Sequence, residues 1–361
     1  MKEERLISVD VFRGLIIALM ILVNYPGSWK YMYAPLVHSD WNGLTPTDFI
    51  FPFFIFIVGV SIALSYSKQI AASKSRKEMV KKILIRGLKI YTIGFCLHYL
   101  PNFDLTKIDL FGVLQRIAEV FVVGALLFIF TSWRTQIYIV LVILVGYWLT
   151  MSFVSTDAFL AGTLEPGVNF AAWVDLLLFP IKTIGDHGWN AEGFYSSLPA
   201  ISSCILGMLA GQYIIDIKNS EYKFSWLIVA GVGCILAGFI WSWFFPINKK
   251  IWTSSFVLVT SGWAVILLSI ALFLIDQQGY KNNWLSKIGV IFGSNAIVIY
   301  VCADLFETIY KHSGIHDFVY LGLINFGLTE LNASLIWSLC SVFSCFIIGL
   351  LLYRKKLFFK I

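Results

Sequence analysis

The chain has 361 residues; 58% are hydrophobic, 17% aromatic and only 13% charged, with a net charge of +6. Soluble domains carry about 25% charged residues, so this is the composition of a polytopic membrane protein. The positive balance sits in short segments between apolar runs and builds no basic face with a fold of its own, which excludes a nucleic-acid-binding reading.

Met1–Asn24 opens like a signal peptide, with Lys2 and Arg5 ahead of an apolar run. Asp10 and Arg13 interrupt that run, and no small-x-small cleavage site follows Asn24, so it reads as a retained first span. A helix needs about 20 apolar residues to cross the hydrocarbon layer. Ten spans are predicted: Val9–Tyr25, Asp48–Tyr66, Ile83–Leu100, Gly112–Thr131, Gln136–Phe153, Tyr195–Ile215, Phe224–Phe245, Trp252–Ile275, Ile288–Tyr310 and Ala333–Tyr353. With the N-terminus inside, the inside segments hold 19 Lys and Arg and the outside segments 7. That asymmetry follows the positive-inside rule. The expected fold is an all-α polytopic membrane protein of about ten transmembrane helices. Both termini are cytoplasmic, and one domain runs over residues 1–361.

The polar residues are read in chain order. Asp10 and Arg13 stand three apart, hence on one helix face. They are either an ion pair closing a helix end or an anchor for an anionic ligand. Asn24 ends the first span; an amide at membrane depth must find partners. It either bonds a neighbouring helix or orients a reacting group. His38-Ser-Asp-Trp-Asn-Gly-Leu-Thr-Pro-Thr-Asp48 is the most informative stretch, a polar segment between two apolar runs. Histidine is the side chain whose charge changes between pH 5 and 8. Asp48 is placed to cap the second span and to accept the imidazole N–H of His38; a base oriented by a carboxylate is recurrent acid–base architecture. An ordinary loop histidine at the membrane interface is the alternative.

Arg116 stands at the outer end of the fourth span near Glu119. It either snorkels to the interface or binds a phosphate or carboxylate. Asn295 and Asp304 fall in the ninth span and are candidates to line a cavity. His98, His187, His312 and His316 lack a companion set and read as interfacial or loop residues. The six cysteines all lie in apolar runs without CxxC or zinc-site spacing, so they read as core residues, and no metal is expected.

Several of these segments carry a resemblance. Arg5-Leu-Ile-Ser-Val-Asp-Val-Phe-Arg-Gly14, Val23-Asn-Tyr25, His38-Ser-Asp-Trp-Asn-Gly-Leu-Thr45 and Asp48-Phe-Ile-Phe-Pro-Phe-Phe-Ile-Phe-Ile-Val-Gly59 together resemble the heparan-alpha-glucosaminide N-acetyltransferase family. The likeness continues through Gly112-Val-Leu-Gln-Arg116, Glu192-Gly193, Pro246-Ile-Asn-Lys249, Ser294-Asn295 and the tail Tyr353–Ile361. It implies a multi-span bundle that moves an acetyl group from acetyl-CoA to the amine of a glucosamine-type sugar, heparan-derived or from a cell envelope. It also implies a multi-pass protein of a bacterial inner membrane. In that family the histidine matching His38 is the proposed active-site residue, and Asn24 and Asp48 fall on its polar neighbours.

On this basis His38, Asn24 and Asp48 are the candidate catalytic residues. Arg13, Arg116, Asp10 and Asn295 are candidates to hold acetyl-CoA. Trp41, Asn42, Glu192 and Asp304 are candidate acceptor contacts. Acetyl-CoA is cytoplasmic and His38 is placed outside, so the pantetheine arm is expected to thread the bundle. The expected partners are acetyl-CoA, an amino-sugar acceptor, the lipid bilayer and a second copy in a homodimer. Departures from the family pattern sit in the loop after the fifth span, where Asp175-Leu176 and Asn190-Ala191-Glu192-Gly193 stand, and at Ala303-Asp304. They bear on the identity of the sugar more than on the reaction. The rival reading is an amino-sugar permease that uses the same polar residues without a thioester.

Overall fold

The computed structural model describes residues 6–99, 110–179, 189–216 and 222–359. The helices are α1 (Ile7–Asn24), α2 (Ile50–Ala71), α3 (Arg76–Tyr99), α4 (Val113–Phe130), α5 (Trp133–Phe153), α6 (Phe170–Leu178), α7 (Ser197–Asp216), α8 (Lys223–Trp241), α9 (Ser254–Ala271), α10 (Trp284–Ser294), α11 (Ala296–His312), α12 (Ile315–Asn325) and α13 (Glu330–Arg354). A two-stranded antiparallel hairpin, β1 (Leu164–Glu165) and β2 (Val168–Asn169), precedes α6. The chain is therefore an all-α polytopic membrane protein.

Among the described residues eight helices are long and apolar enough to cross a membrane, and a ninth such unit is a bent pair. Two predicted spans differ in form. The segment predicted as Ile288–Tyr310 is α10 followed by α11, bent by 82°. The break falls at Asn295, whose φ of −132° and ψ of 40° are not helical. The segment predicted as Ile83–Leu100 begins earlier, at Arg76, so α3 carries Arg76, Lys77, Lys81, Lys82, Arg86 and Lys89. Those charges keep α3 out of the apolar set. It is held by Met79, Ile83 and Ile90, which recur at helical spacing and are buried.

The chain divides into two compact units. The first comprises Met1–Ser39, Thr45–Phe54 and Leu268–Ile361. Its centre is the crossing of α1 and α10, where glycines let the backbones touch. A β-carbon on Gly14 would lie 1.8 Å from the Gly289 carbonyl oxygen, and one on Gly293 2.0 Å from that of Asp10. Small residues at such crossings are how membrane helices gain close packing. Asp276 accepts hydrogen bonds from the Ile7 and Ser8 N–H groups at 3.0 and 3.2 Å, satisfying two donors that the start of α1 leaves open.

The second unit comprises Asp40–Leu44 and Ile55–Leu267. Here α2 and α7 meet in the same manner: a β-carbon on Gly59 would lie 2.0 Å from the Cys204 carbonyl oxygen, and one on Gly207 2.0 Å from that of Phe56. A hydrophobic core of Tyr147, Met151, Ala171, Phe245 and Ile251 gathers α5, α6 and the loop after α8. The Tyr147 hydroxyl donates to the Ile251 carbonyl at 2.6 Å, so the ring stays buried with its polar end paired.

Candidate active site

In the first unit the short turn Pro46–Phe49 runs directly into α2. Asp48 sits third in that turn and reaches back to the Thr45 N–H at 3.0 Å, the return half of a capping box. The same oxygen, Oδ2, also accepts from the Thr45 hydroxyl at 3.0 Å and the Ser39 N–H at 3.1 Å. Asp48 is fully buried, and a buried carboxylate is tolerated only with such partners.

The other oxygen, Oδ1, lies 2.7 Å from Nδ1 of His38. An ionised carboxylate only accepts, so Nδ1 is the donor in this contact. The His38 side chain is 37% exposed, against 0% for Asp48. The pair thus presents an oriented imidazole on a buried, multiply hydrogen-bonded anion. Asn24 closes α1 in the same unit. The structure brings His38 and Asp48 into direct contact, as their order in the chain suggested.

The other first-unit candidates are engaged locally. Arg13 Nη1 donates to Asp10 Oδ1 at 3.1 Å and to the Gly293 carbonyl at 3.4 Å, so this pair ties α1 to α10. Asn295 donates to the Leu357 carbonyl and accepts from the Phe359 N–H, both at 3.0 Å. Its amide therefore fixes the chain's tail at the bend between α10 and α11. Asp304 accepts from the Tyr25 hydroxyl at 2.5 Å. Tyr25 escaped the sequence reading because a tyrosine beside an apolar run looks like interfacial packing; its adjacency to Asn24 was the available signal.

In the second unit the Asp40–Leu44 segment is clamped from two sides. Trp41 donates to the Leu164 carbonyl at 3.0 Å and stands edge-on to Trp189 at 5.2 Å. Asn42 accepts from the Asn248 amide at 3.1 Å, and the Gly43 N–H donates to the Ile247 carbonyl at 2.9 Å. The Pro246-Ile-Asn-Lys249 stretch is thus the structural partner of Trp41-Asn-Gly43. Asn248 is fully buried. Its signal in the sequence was a polar amide in a loop between two apolar spans.

Arg116, near the start of α4, is 1% exposed. Its Nη2 donates to the Gly193 carbonyl at 3.0 Å and to the Ser196 hydroxyl, and its guanidinium lies 5.2 Å from the Trp252 ring centroid. Nε and Nη1 have no hydrogen-bond partner among the described residues. The carboxylates of Glu192, Glu119 and Asp175 supply the negative field around it. Glu119 accepts from the Ser197 hydroxyl at 2.9 Å, and Asp175 accepts from the Tyr195 N–H at 2.8 Å. Burial pushes the Asp175 carboxyl up to about 6, against the pull of the Tyr195 N–H and Arg116. The Glu192 N–H is fixed by the Asn190 side chain at 2.8 Å.

Of the histidines set aside, His187 lies outside the described residues. His316 does have companions: Nδ1 lies 2.8 Å from Asp317 Oδ1 and Nε2 3.1 Å from the Gly27 carbonyl. His312 Nδ1 lies 2.8 Å from the Thr308 carbonyl, a bond within α11.

Comparison with known proteins bears on this arrangement directly. The heparan-alpha-glucosaminide N-acetyltransferase catalytic family matches residues 5–237. Heparan-alpha-glucosaminide N-acetyltransferase of Mus musculus is 28% identical over 419 aligned residues, covering 99% of this chain and 61% of the mouse protein. The Homo sapiens protein of the same name is 28% identical over 424 aligned residues, covering 99% and 60%. The chain spans about three-fifths of the length of these relatives. The family match takes in Asn24, the His38–Asp48 pair and the Arg116 cluster, and on that extent the chain belongs to the heparan-alpha-glucosaminide N-acetyltransferase family.

Proposed function

We propose that the chain is a transmembrane N-acetyltransferase that moves an acetyl group from acetyl-CoA to the amine of a glucosamine-type sugar, with His38 managing the proton. The observation that carries this reading is the contact between His38 Nδ1 and the buried Asp48 carboxylate at 2.7 Å. Only an unprotonated amine attacks a thioester carbonyl, so the reaction needs a base that works near neutral pH. Nε2 of His38 takes the amine proton as the C–N bond forms. The tetrahedral intermediate then expels the CoA thiolate, and the imidazolium returns the proton to sulfur. The products are the N-acetyl sugar and free CoA. In the two-step variant Nε2 itself attacks the carbonyl and the thiolate leaves; the amine then takes the acetyl group, and the freed Nε2 accepts the amine proton and passes it to the thiolate.

Both routes place positive charge on the ring, and Asp48 stabilises it in both. Asn24 is assigned to the oxyanion of the tetrahedral intermediate. The Nε and Nη1 donors of Arg116, unpartnered among the described residues, suit an anionic group of CoA, and Arg13, Asp10 and Asn295 are the other residues proposed to hold it. Trp41, Asn42, Glu192 and Asp304 are assigned to the acceptor. We place the protein in a bacterial inner membrane with both termini cytoplasmic, with a homodimer as the proposed assembly.

The test is acetyl transfer to glucosamine by the purified protein in detergent. Acetyl-CoA is expected to yield N-acetylglucosamine, and His38→Ala to lower turnover by about 10²–10⁴-fold, the range for a lost acid–base group. Near-normal turnover by His38→Ala would remove both catalytic roles. Sugar uptake into proteoliposomes without acetyl-CoA, with no acetylated product, would favour the permease.

A further inference from the structure

The basic start of α3 is not among the residues assigned to the proposed acetyl transfer, and it borders a cavity of about 520 Å³. The cavity is lined by Arg76, Lys77 and Lys81 together with Val80 and Leu84, all on α3, and by Phe130 at the end of α4. All three cations are exposed, and so are Leu84 and Phe130. Arg76 lies 5.8 Å from the Phe130 ring centroid, so charged and apolar lining are adjacent. The first turn of α3, where Arg76 and Lys77 stand, adds the positive end of the helix dipole. Trp133 begins α5 three residues after Phe130, is 52% exposed, and has the Arg134 guanidinium 5.3 Å from its ring. Tryptophan and arginine together at a span's end mark the headgroup level of a bilayer.

We propose that this groove binds an anionic phospholipid: the phosphate and headgroup lie against Arg76, Lys77 and Lys81, and an acyl chain lies along Val80, Leu84 and Phe130. Charge complementarity selects the headgroup. The apolar lining selects a lipid over a soluble phosphate, because a free phosphate would gain nothing from it. Basic pockets beside transmembrane helices are suited to such headgroups. The site is independent of the acetyltransferase reading and stands or falls separately.

The experiment is native mass spectrometry of the full chain in mild detergent, titrated with phosphatidylglycerol or phosphatidylcholine. Each cation near an anionic surface adds about a fivefold gain, so three give a preference for phosphatidylglycerol on the order of a hundredfold. Arg76→Gln/Lys77→Gln/Lys81→Gln is expected to abolish that preference, whereas Lys355→Gln/Lys356→Gln keeps it. Val80→Trp fills the groove with the cations intact and is expected to lower phosphatidylglycerol binding at least tenfold, which decides the matter if the triple variant fails to fold. Inorganic phosphate and CoA are expected not to displace the lipid. Equal binding of the two lipids, retention by Val80→Trp, or displacement by phosphate or CoA would overturn the assignment.

Discussion

Asp48 and Arg116 are both charged groups with almost no exposure, and they are solvated by the protein in opposite ways. The Asp48 carboxylate gathers donors on both oxygens: the His38 ring on one, and Ser39 and Thr45 on the other. Arg116 spends one nitrogen on Gly193 and Ser196 and leaves Nε and Nη1 unpartnered among the described residues. A saturated buried anion is a fixed part, able to hold a ring and a tautomer in place. A buried cation with unspent donors carries a desolvation cost, and a ligand anion would offset it. The contrast suggests different tasks, orientation for Asp48 and anion capture for Arg116, and substitution can separate them.

The largest effect is expected at Asp48. Asp48→Asn keeps the shape but replaces one oxygen with an N–H₂ group, so either the Nδ1–H contact or the Thr45 and Ser39 donors meet a donor. His38 then loses its tautomer and the charge that stabilises its protonated form. Acetyl transfer should fall by about 10²–10⁴-fold, comparable to the His38→Ala loss, with KM for acetyl-CoA little changed. A loss confined to KM would break the orienting role. Arg116→Met comes next. Removing one partner of a buried charge network costs about 3–5 kcal/mol, so the melting midpoint in detergent should drop sharply. If Arg116 also holds an anion, added CoA should stabilise the native protein but not this variant. Equal stabilisation of both by CoA would leave Arg116 a purely structural residue.

Much of this was legible in the sequence, and the rest failed for identifiable reasons. Length and hydropathy placed the long helices, because an apolar run bounded by polar residues has few other fates in a bilayer, but they missed the short helices α6 and α12. The His38–Asp48 pair was legible because Asp48 reads as the cap of the second span and His38 stands ten residues before it in the same polar segment. The break at Asn295 was not, because the hydropathy of its surroundings is continuous; only the backbone angles and the tail at Leu357–Phe359 reveal it. The clamp of Asn42 by Asn248 joins residues 206 positions apart, and nothing local encodes such a contact. The basic face of α3 was read as a topology signal, which hid the groove it lines.

The smallest effect expected belongs to Asp175, which turns the same contrast into a pH dependence. Like Asp48 it is a buried carboxylate, but it stands beside Arg116 and is pushed up to about 6 chiefly by burial. Its folded-state value lies above the ordinary 3.8. Its contribution to stability is therefore complete below about pH 3.8 and is lost as pH rises through 6. The displacement corresponds to about 3 kcal/mol, at 1.36 kcal/mol per unit. Asp175→Asn can still accept from the Tyr195 N–H through its amide oxygen but cannot ionise. Relative to the parent, the variant should gain up to about 3 kcal/mol between pH 4 and pH 8, seen as melting midpoints that draw apart on the alkaline side. A constant gap across that range would mean that Arg116 already compensates the Asp175 charge, and that the cluster around Arg116 is as fully paired as the one around Asp48.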